Sequence, residues 1–214
     1  MHMAEGILSL PIIAGGAACC AAGCLWALRS CGPEQVTRVG LMAAVFFTLS
    51  FIHVPLAGTS VHLLGCALLG FILGRQIWLA LTIALSLQVL LLGYGGLTTI
   101  GVTATMLAIP GHAAGTLLRR SGHWPARWLG LFAFTLALLA IEAALVLAWL
   151  ALSFSQAGVV SWWFVIAHQP VALVEGLLTA GAVCYLQRAQ PGYFHPSIPA
   201  KWTAATGPGP GGAP

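Results

Sequence analysis

Seven long apolar runs, with every basic residue near 29–38, 75 or 119–127 or in the tail 188–214, leave this chain few folds to choose from. Each run approaches the roughly 20 residues a helix needs to cross a bilayer. They fall near 7–28, 37–56, 61–74, 76–94, 98–118, 128–154 and 162–187. With 6% charged residues and a mean hydropathy of +0.96, the chain is far below the roughly 25% charge of a soluble domain. The expected class is an all-α polytopic membrane protein with seven transmembrane helices. Its third run is short for a full crossing and follows Pro55 and Gly58-Thr59-Ser60. A tilted, broken or re-entrant segment is expected there.

Lys and Arg collect in short cytoplasmic loops, which gives the runs a direction. With the N-terminus outside and the C-terminus cytoplasmic, Arg29, Arg38, Arg75, Arg119, Arg120, Arg127, Arg188 and Lys201 all fall on the inner side. These are all 8 of the basic residues. The outer loops near 57–60, 95–97 and 155–161 have none. The net charge of +4 is thus a topogenic set in a lipid bilayer and implies no nucleic-acid partner. Residues 1–188 are expected to form one transmembrane domain. The tail 189–214, rich in Pro and Gly, cannot build a core and is expected to be disordered and cytoplasmic.

The start, Met1-His2-Met3-Ala4-Glu5-Gly6, lacks the basic n-region and cleavage site of a signal peptide, so Met1 is expected to persist. A histidine in second place puts three nitrogen donors in one dipeptide: the Met1 amine, the His2 amide and the His2 imidazole. Together they close a five- and a six-membered chelate ring and leave one in-plane position, which suits Ni(II) or Cu(II). The amide must lose its proton, so the site weakens as pH falls. His62, at the outer end of the third run, is the candidate for the fourth donor. A histidine at an interface can equally serve only as a hydrogen-bonding group. Cys19, Cys20, Cys24, Cys31, Cys66 and Cys184 contain no C-x-x-C pattern and are expected to be small apolar filler.

Four blocks then carry a resemblance: Met1-His2-Met3-Ala4-Glu5-Gly6, Gly58-Thr59-Ser60-Val61-His62-Leu63, Gly95-Gly96-Leu97-Thr98-Thr99-Ile100-Gly101, and Ala167-His168-Gln169-Pro170-Val171-Ala172-Leu173-Val174-Glu175-Gly176. In this order they resemble the CbiM/NikM family, the substrate-specific components of energy-coupling factor (ECF) transporters for cobalt and nickel. The resemblance implies a seven-helix subunit of the bacterial cytoplasmic (inner) membrane, without catalysis or a permanent cofactor. Its cargo would be Ni(II) or Co(II), held by Met1, His2 and His62. It further implies a transmembrane coupling (T) subunit, a pair of ABC ATPase subunits and a small accessory membrane subunit as partners. Thr103 and Thr105 stand where the family commonly has Asn, so hydroxyls there would retune the site's support.

Other polar residues in the runs invite roles of their own. His53, just before Val54-Pro55, is a candidate ligand or shuttle, and Thr103, His168 and Glu175 are candidate supports around the ion. Glu142 matches no block and is expected to be protonated. His112 and His123, toward the cytoplasmic side, are expected to be solvated or capping. Ala14, Ala18 and Ala22 recur every fourth residue beside Gly15, Gly16 and Gly23, a stripe suited to close helix contact, either internal or with the coupling subunit. Two other classes stay in view: an intramembrane metal-dependent hydrolase, opposed by the absence of H-E-x-x-H and of any Asp, and a seven-helix sensor.

Overall fold

The computed structural model describes residues 6, 8–56, 59–62, 65–120, 174–186 and 188–189. Apart from one small hairpin they are helical. The elements are α1 (Leu10–Leu28), α2 (Pro33–Leu49), β1 (His53–Leu56), β2 (Thr59–His62), α3 (Cys66–Leu73), a 3-10 turn (Gly74–Gln76), α4 (Ile77–Leu87), a π-helical stretch (Gln88–Leu92) and α5 (Ile100–Arg120). A further apolar helix, α6, spans Val174–Leu186. Proline stands in the first turn of α1 and of α2, where its missing N–H costs nothing. The Gly32 N–H at the start of α2 donates to Gln35 Oε1 at 2.9 Å.

Named contacts fix the helix directions. Gly16 meets Val102, and Trp26 lies edge-on to His112 with ring centroids 5.1 Å apart, so α1 and α5 run parallel. Gly23 meets Trp78 and the Cys20 Sγ lies 3.3 Å from Thr82 Oγ1, so α4 runs opposite to α1. Along α3, Cys66 and Gly70 face Gly111 while Gly74 faces Arg119, which makes α3 parallel to α5. Leu49 reaches Gly65, so α2 returns toward the start of α3. Successive helices therefore alternate in direction.

Three described stretches are long and apolar enough to cross a membrane: Leu10–Leu28, Cys66–Leu92 and Ile100–Leu117. The middle one is two antiparallel arms, because the chain reverses at Gly74, whose φ of 61 ends α3. The Gly74 N–H still donates to Gly70 O, and Arg119 adds to the cap, its Nη1 donating to Gly70 O at 2.9 Å and to Phe71 O at 2.7 Å. Burial lowers the pKa of this guanidinium from its ordinary value, though arginine stays charged.

The expected third crossing, 61–74, is corrected by this arrangement. Residues 59–62 are strand, and α3 has 8 residues, about 12 Å of helix at 1.5 Å per residue. α3 starts level with Gly111, midway along α5, so its helix reaches only part of the length of its neighbour. Pro55, which cannot donate to a ladder, and the turn residues Gly58-Thr59 favour a short hairpin instead.

Packing rather than a hydrophobic driving force holds helices together in lipid, and small residues allow it. Glycines sit at the α3–α5 crossing (Gly70, Gly111, Gly115) and where α1 meets α4 and α5 (Gly23, Gly16). Phe46, Leu69, Ile77 and Leu81 are fully buried between them, and α6 adds Ala180 and Val183 against Phe71. Leu10, Leu25, Leu90 and Leu91 project outward, the last two 70% and 67% exposed, as a lipid-facing surface would.

Candidate metal site

The two ends of the bundle differ in chemistry. Arg29, Arg75, Arg119 and Arg120 gather at the end where α1 and α5 finish, with Arg38 in the second turn of α2 nearby. A cavity of about 130 Å³ lined by Gln35, Arg38, Ile72, Leu73 and Gln76 opens at this basic end. The other end holds the start of α1, the end of the π-helical stretch and the start of α5, and the β1–β2 hairpin joins the ends of α2 and α3 that point away from the basic residues. No basic residue lies there among the described residues.

The hairpin brings two of the candidate residues together. β1 and β2 pair antiparallel, and His53 is the register partner of His62. Directly opposed residues in such a ladder have Cα atoms about 4.5–5.5 Å apart. The pairing of Pro55 with Ser60 and of Leu56 with Thr59 closes the hairpin at residues 57–58. Sequence spacing of nine residues did not signal this partnership, because only the register reveals it. Met1, His2 and His168 lie outside the described residues, as do Glu142 and His123. What the structure does place is the start of α1 beside the start of α5, where Gly16 meets Val102.

Around that end the backbone is shaped by special conformations. Gly93 and Gly95 adopt φ of 66 and 82, so the turn expected at Gly95-Gly96 begins two residues earlier. Thr99 then caps α5: its hydroxyl accepts from the Gly96 N–H at 3.2 Å and donates to the Gly96 carbonyl at 2.9 Å. Thr103, one turn further, is buried. Thr105 has a different task from the support expected of it. Its hydroxyl donates to Gly16 O at 3.2 Å and so ties α5 to α1.

Glu175 is 2% exposed. It shares a fourfold spacing on α6 with Thr179 and with Val183, which packs on Phe71, so the carboxyl lies on the buried side of its helix. His112 corrects the expectation of a solvated or capping residue. The parallel course of α1 and α5 sets Trp26 against its ring, Arg75 lies 5.8 Å over the same indole, and the His112 Nδ1 is buried with no hydrogen-bond partner among the described residues. Two of the cysteines are also more than filler: Cys20 and Cys24 share the Thr82 hydroxyl at 3.3 and 3.4 Å.

One polar residue escaped the reading of the sequence. Gln88 is fully buried, and neither its Nε2 nor its Oε1 has a hydrogen-bond partner among the described residues. The signal was a lone amide within Ile77–Leu92, an otherwise nearly apolar stretch. Among the described residues no cluster of three His, Cys, Asp or Glu side chains could hold a metal.

Comparison with known proteins agrees with this architecture. The family model described as CbiM, cobalt uptake substrate-specific transmembrane region, matches residues 2–193. A cobalt transport protein CbiM of Sorangium cellulosum is 35% identical over 213 residues, covering 89% of this chain and 93% of its own. A chain of Archaeoglobus fulgidus named as a fused nickel transport protein, NikMN, is 30% identical over 216 residues, which are 89% of this chain and 67% of that one. A solved crystal structure of a transition metal transporter superposes over 97% of this chain and 100% of its own, with a TM-score of 0.72 at 22% identity.

Proposed function

This chain belongs to the CbiM/NikM family, and we propose that it is the substrate-capture subunit of an ECF-type importer for Co(II) or Ni(II), with no catalysis of its own. The coarse part of that reading, a component of a metal transporter in a membrane, follows from the family. The finer part is a mechanism. The ion arrives from outside, at the end of the bundle without basic residues, and is chelated by the Met1 amine, the His2 amide and the His2 imidazole. His62 completes the set. His53, its register partner, and Thr103, His168 and Glu175 support the site.

One observation supports this reading: His53 and His62 are register partners in a hairpin that joins the end of α2 to the start of α3, on the side of those helices away from the basic residues. A ligand set of this kind is acceptable in the membrane where the irregular backbone that carries it lines the site itself. Four nitrogen donors favour nickel slightly over cobalt by the general affinity order. In the proposed topology the chain crosses the bacterial inner membrane seven times, with the N-terminus outside and residues 189–214 as a cytoplasmic tail.

The basic end then faces the cytoplasm, where a pair of ATPase subunits would drive inward release through a transmembrane coupling subunit. Ala14, Ala18 and Ala22 are exposed on α1 while Gly16 and Gly23 face inward, which leaves the alanine row for such a partner. The fusion named in the A. fulgidus relative supports an additional membrane subunit beside this one. The sequence offers no nucleotide-binding G-x-x-x-x-G-K-[ST], so energy must come from partners.

The decisive test uses protein with a native N-terminus and a C-terminal tag. X-ray absorption of the nickel-loaded protein should give a four-nitrogen environment. Adding one residue before Met1 should abolish high-affinity binding, because the amine becomes an amide and His2 leaves second place. Unchanged affinity in the extended chain refutes the chelate.

A further inference from the structure

Gln88 is the least explained buried group in the described bundle. A primary amide has one acceptor and two donors to satisfy, and leaving them unmade in a low-dielectric interior is costly. Here both Nε2 and Oε1 are buried without a partner among the described residues. The backbone is unusual at the same place. Gln88–Leu92 is a π-helical stretch that ends α4, closed by the Gly93 N–H onto Gln88 O, which also accepts from the Tyr94 N–H at 3.2 Å, with Gly93 in the left-handed conformation.

Its depth is set by the antiparallel contacts of α4 with α1. Gly23 lies at Trp78 and Cys20 at Thr82, so with the common rise of the two helices Gln88 falls level with Ile13, in the first turn of α1. The same reckoning through Gly16 and Val102 puts it level with Thr99, which caps α5. The residue thus stands at the end of the bundle where α1 and α5 begin, the end at which the first residues of the chain join α1.

The proposed chelate has polar atoms of its own that face away from the metal. A coordinated Met1 amine keeps two N–H donors. Deprotonation of the His2 amide leaves negative charge shared with the Met1 carbonyl oxygen, which becomes a strong acceptor. A carboxamide offers the complementary pair, Oε1 for the amine and Nε2 for the carbonyl. We propose that Gln88 is a positioning residue for the bound divalent cation, its side-chain amide hydrogen-bonding the N-terminal metal chelate rather than the metal. This inference rests on the chelate reading given under Proposed function.

The test compares Gln88→Met, which keeps volume and removes every polar atom, with Gln88→Glu, which keeps the acceptor and adds a charge opposite to the cation's. Each is made in the full chain with a native N-terminus, and nickel affinity is titrated beside the thermal unfolding of the metal-free protein. Gln88→Met should unfold no lower than the wild type without metal, since an unpartnered amide has been replaced by an apolar group. Its nickel affinity should nevertheless fall about 10–100-fold, the usual size for a group that orients a ligand. Gln88→Glu should bind at least about tenfold more tightly than Gln88→Met.

Unchanged affinity in Gln88→Met overturns the inference. So do equal affinities in the two variants, which would mean that any loss came from packing, even if Gln88→Met folded poorly. The same titration on the chain extended by one N-terminal residue keeps the two readings apart. Tight binding by the extended chain refutes the chelate, whereas loss there together with wild-type binding by Gln88→Met refutes only the role of Gln88.

Discussion

Gly70→Ala tests the packing that holds the short third helix in place. The added methyl would land on the Gly111 carbonyl of α5, backbone that cannot swing aside. Alanine gains about 1 kcal/mol of helix propensity over glycine. Against it stands the cost of forcing the helices apart, about 1–3 kcal/mol for one extra methyl in a packed interior. Separation also stretches the bonds from Arg119 Nη1 to Gly70 O and Phe71 O, and hydrogen bonds to charged groups are worth about 1.5–3 kcal/mol each. The clash and the strained bonds outweigh propensity, for a net loss of about 2 kcal/mol or more. At about 2–4 °C per kcal/mol for a chain of this size, thermal unfolding in detergent should drop by about 4–8 °C. Gly40→Ala on α2 is the control, because a Cβ there meets nothing within 4 Å, and it should be neutral or stabilising by about 0.5–1 kcal/mol. If Gly70→Ala unfolds at or above the wild-type temperature, the close α3–α5 crossing is wrong.

Thr105→Val removes the hydroxyl bonded to Gly16 O and should destabilise by about 1 kcal/mol, the scale of an interhelical bond in a membrane protein; differential scanning fluorimetry checks it, and nickel affinity should stay unchanged. His2→Ala and His62→Ala should each abolish tight nickel binding in calorimetric titration, whereas His123→Ala should leave it intact; similar small losses in all three would move the site elsewhere. Nickel affinity should fall steeply from about pH 8 to pH 6, because the Met1 amine, with a reference pKa of about 7.7–8.0, and the His2 imidazole, near 6.5, take up protons that compete with the metal. A flat profile over that range would exclude the amine as a donor. In liposomes the chain alone should not concentrate nickel, and accumulation without a partner ATPase would replace the subunit reading with that of a self-sufficient carrier.

Much of the helical framework could be read from hydropathy because lipid allows so few backbones. The runs at 7–28 and 98–118 correspond to α1 and α5 within a few residues, and the arginines of the described region gather at one end as the loop charges require. The third run misled because apolar composition does not distinguish a helix from a hairpin that sits at the same depth. Its shortness and the preceding Pro55 and Gly58-Thr59-Ser60 did announce a broken segment, but Val54 and Val61, β-branched residues that favour extended chain, did not by themselves specify a hairpin. Thr105 was read for its chemistry when its geometry binds it to α1, and Gln88 was passed over because a single amide hardly lowers the hydropathy of the run around it.

The short α3 links these errors to function. A full helix from Val61 would have presented a closed backbone and only side chains to an ion. With eight residues of helix ending at Gly74 and anchored by Arg119, the chain above it is free to form the hairpin in which His53 and His62 become partners. Helical spacing could not have paired them, since nine residues of helix would separate the two by about 13 Å along its axis. At the end of the short helix one guanidinium donates to two carbonyls, Gly70 O and Phe71 O, and before its start the strands satisfy each other in the β1–β2 ladder. A variant that rebuilt the helix, such as Gly65→Ala, where the φ of 62 strains any L side chain, should therefore weaken nickel binding more than it weakens the bundle, and the opposite ranking would detach the hairpin from the ion.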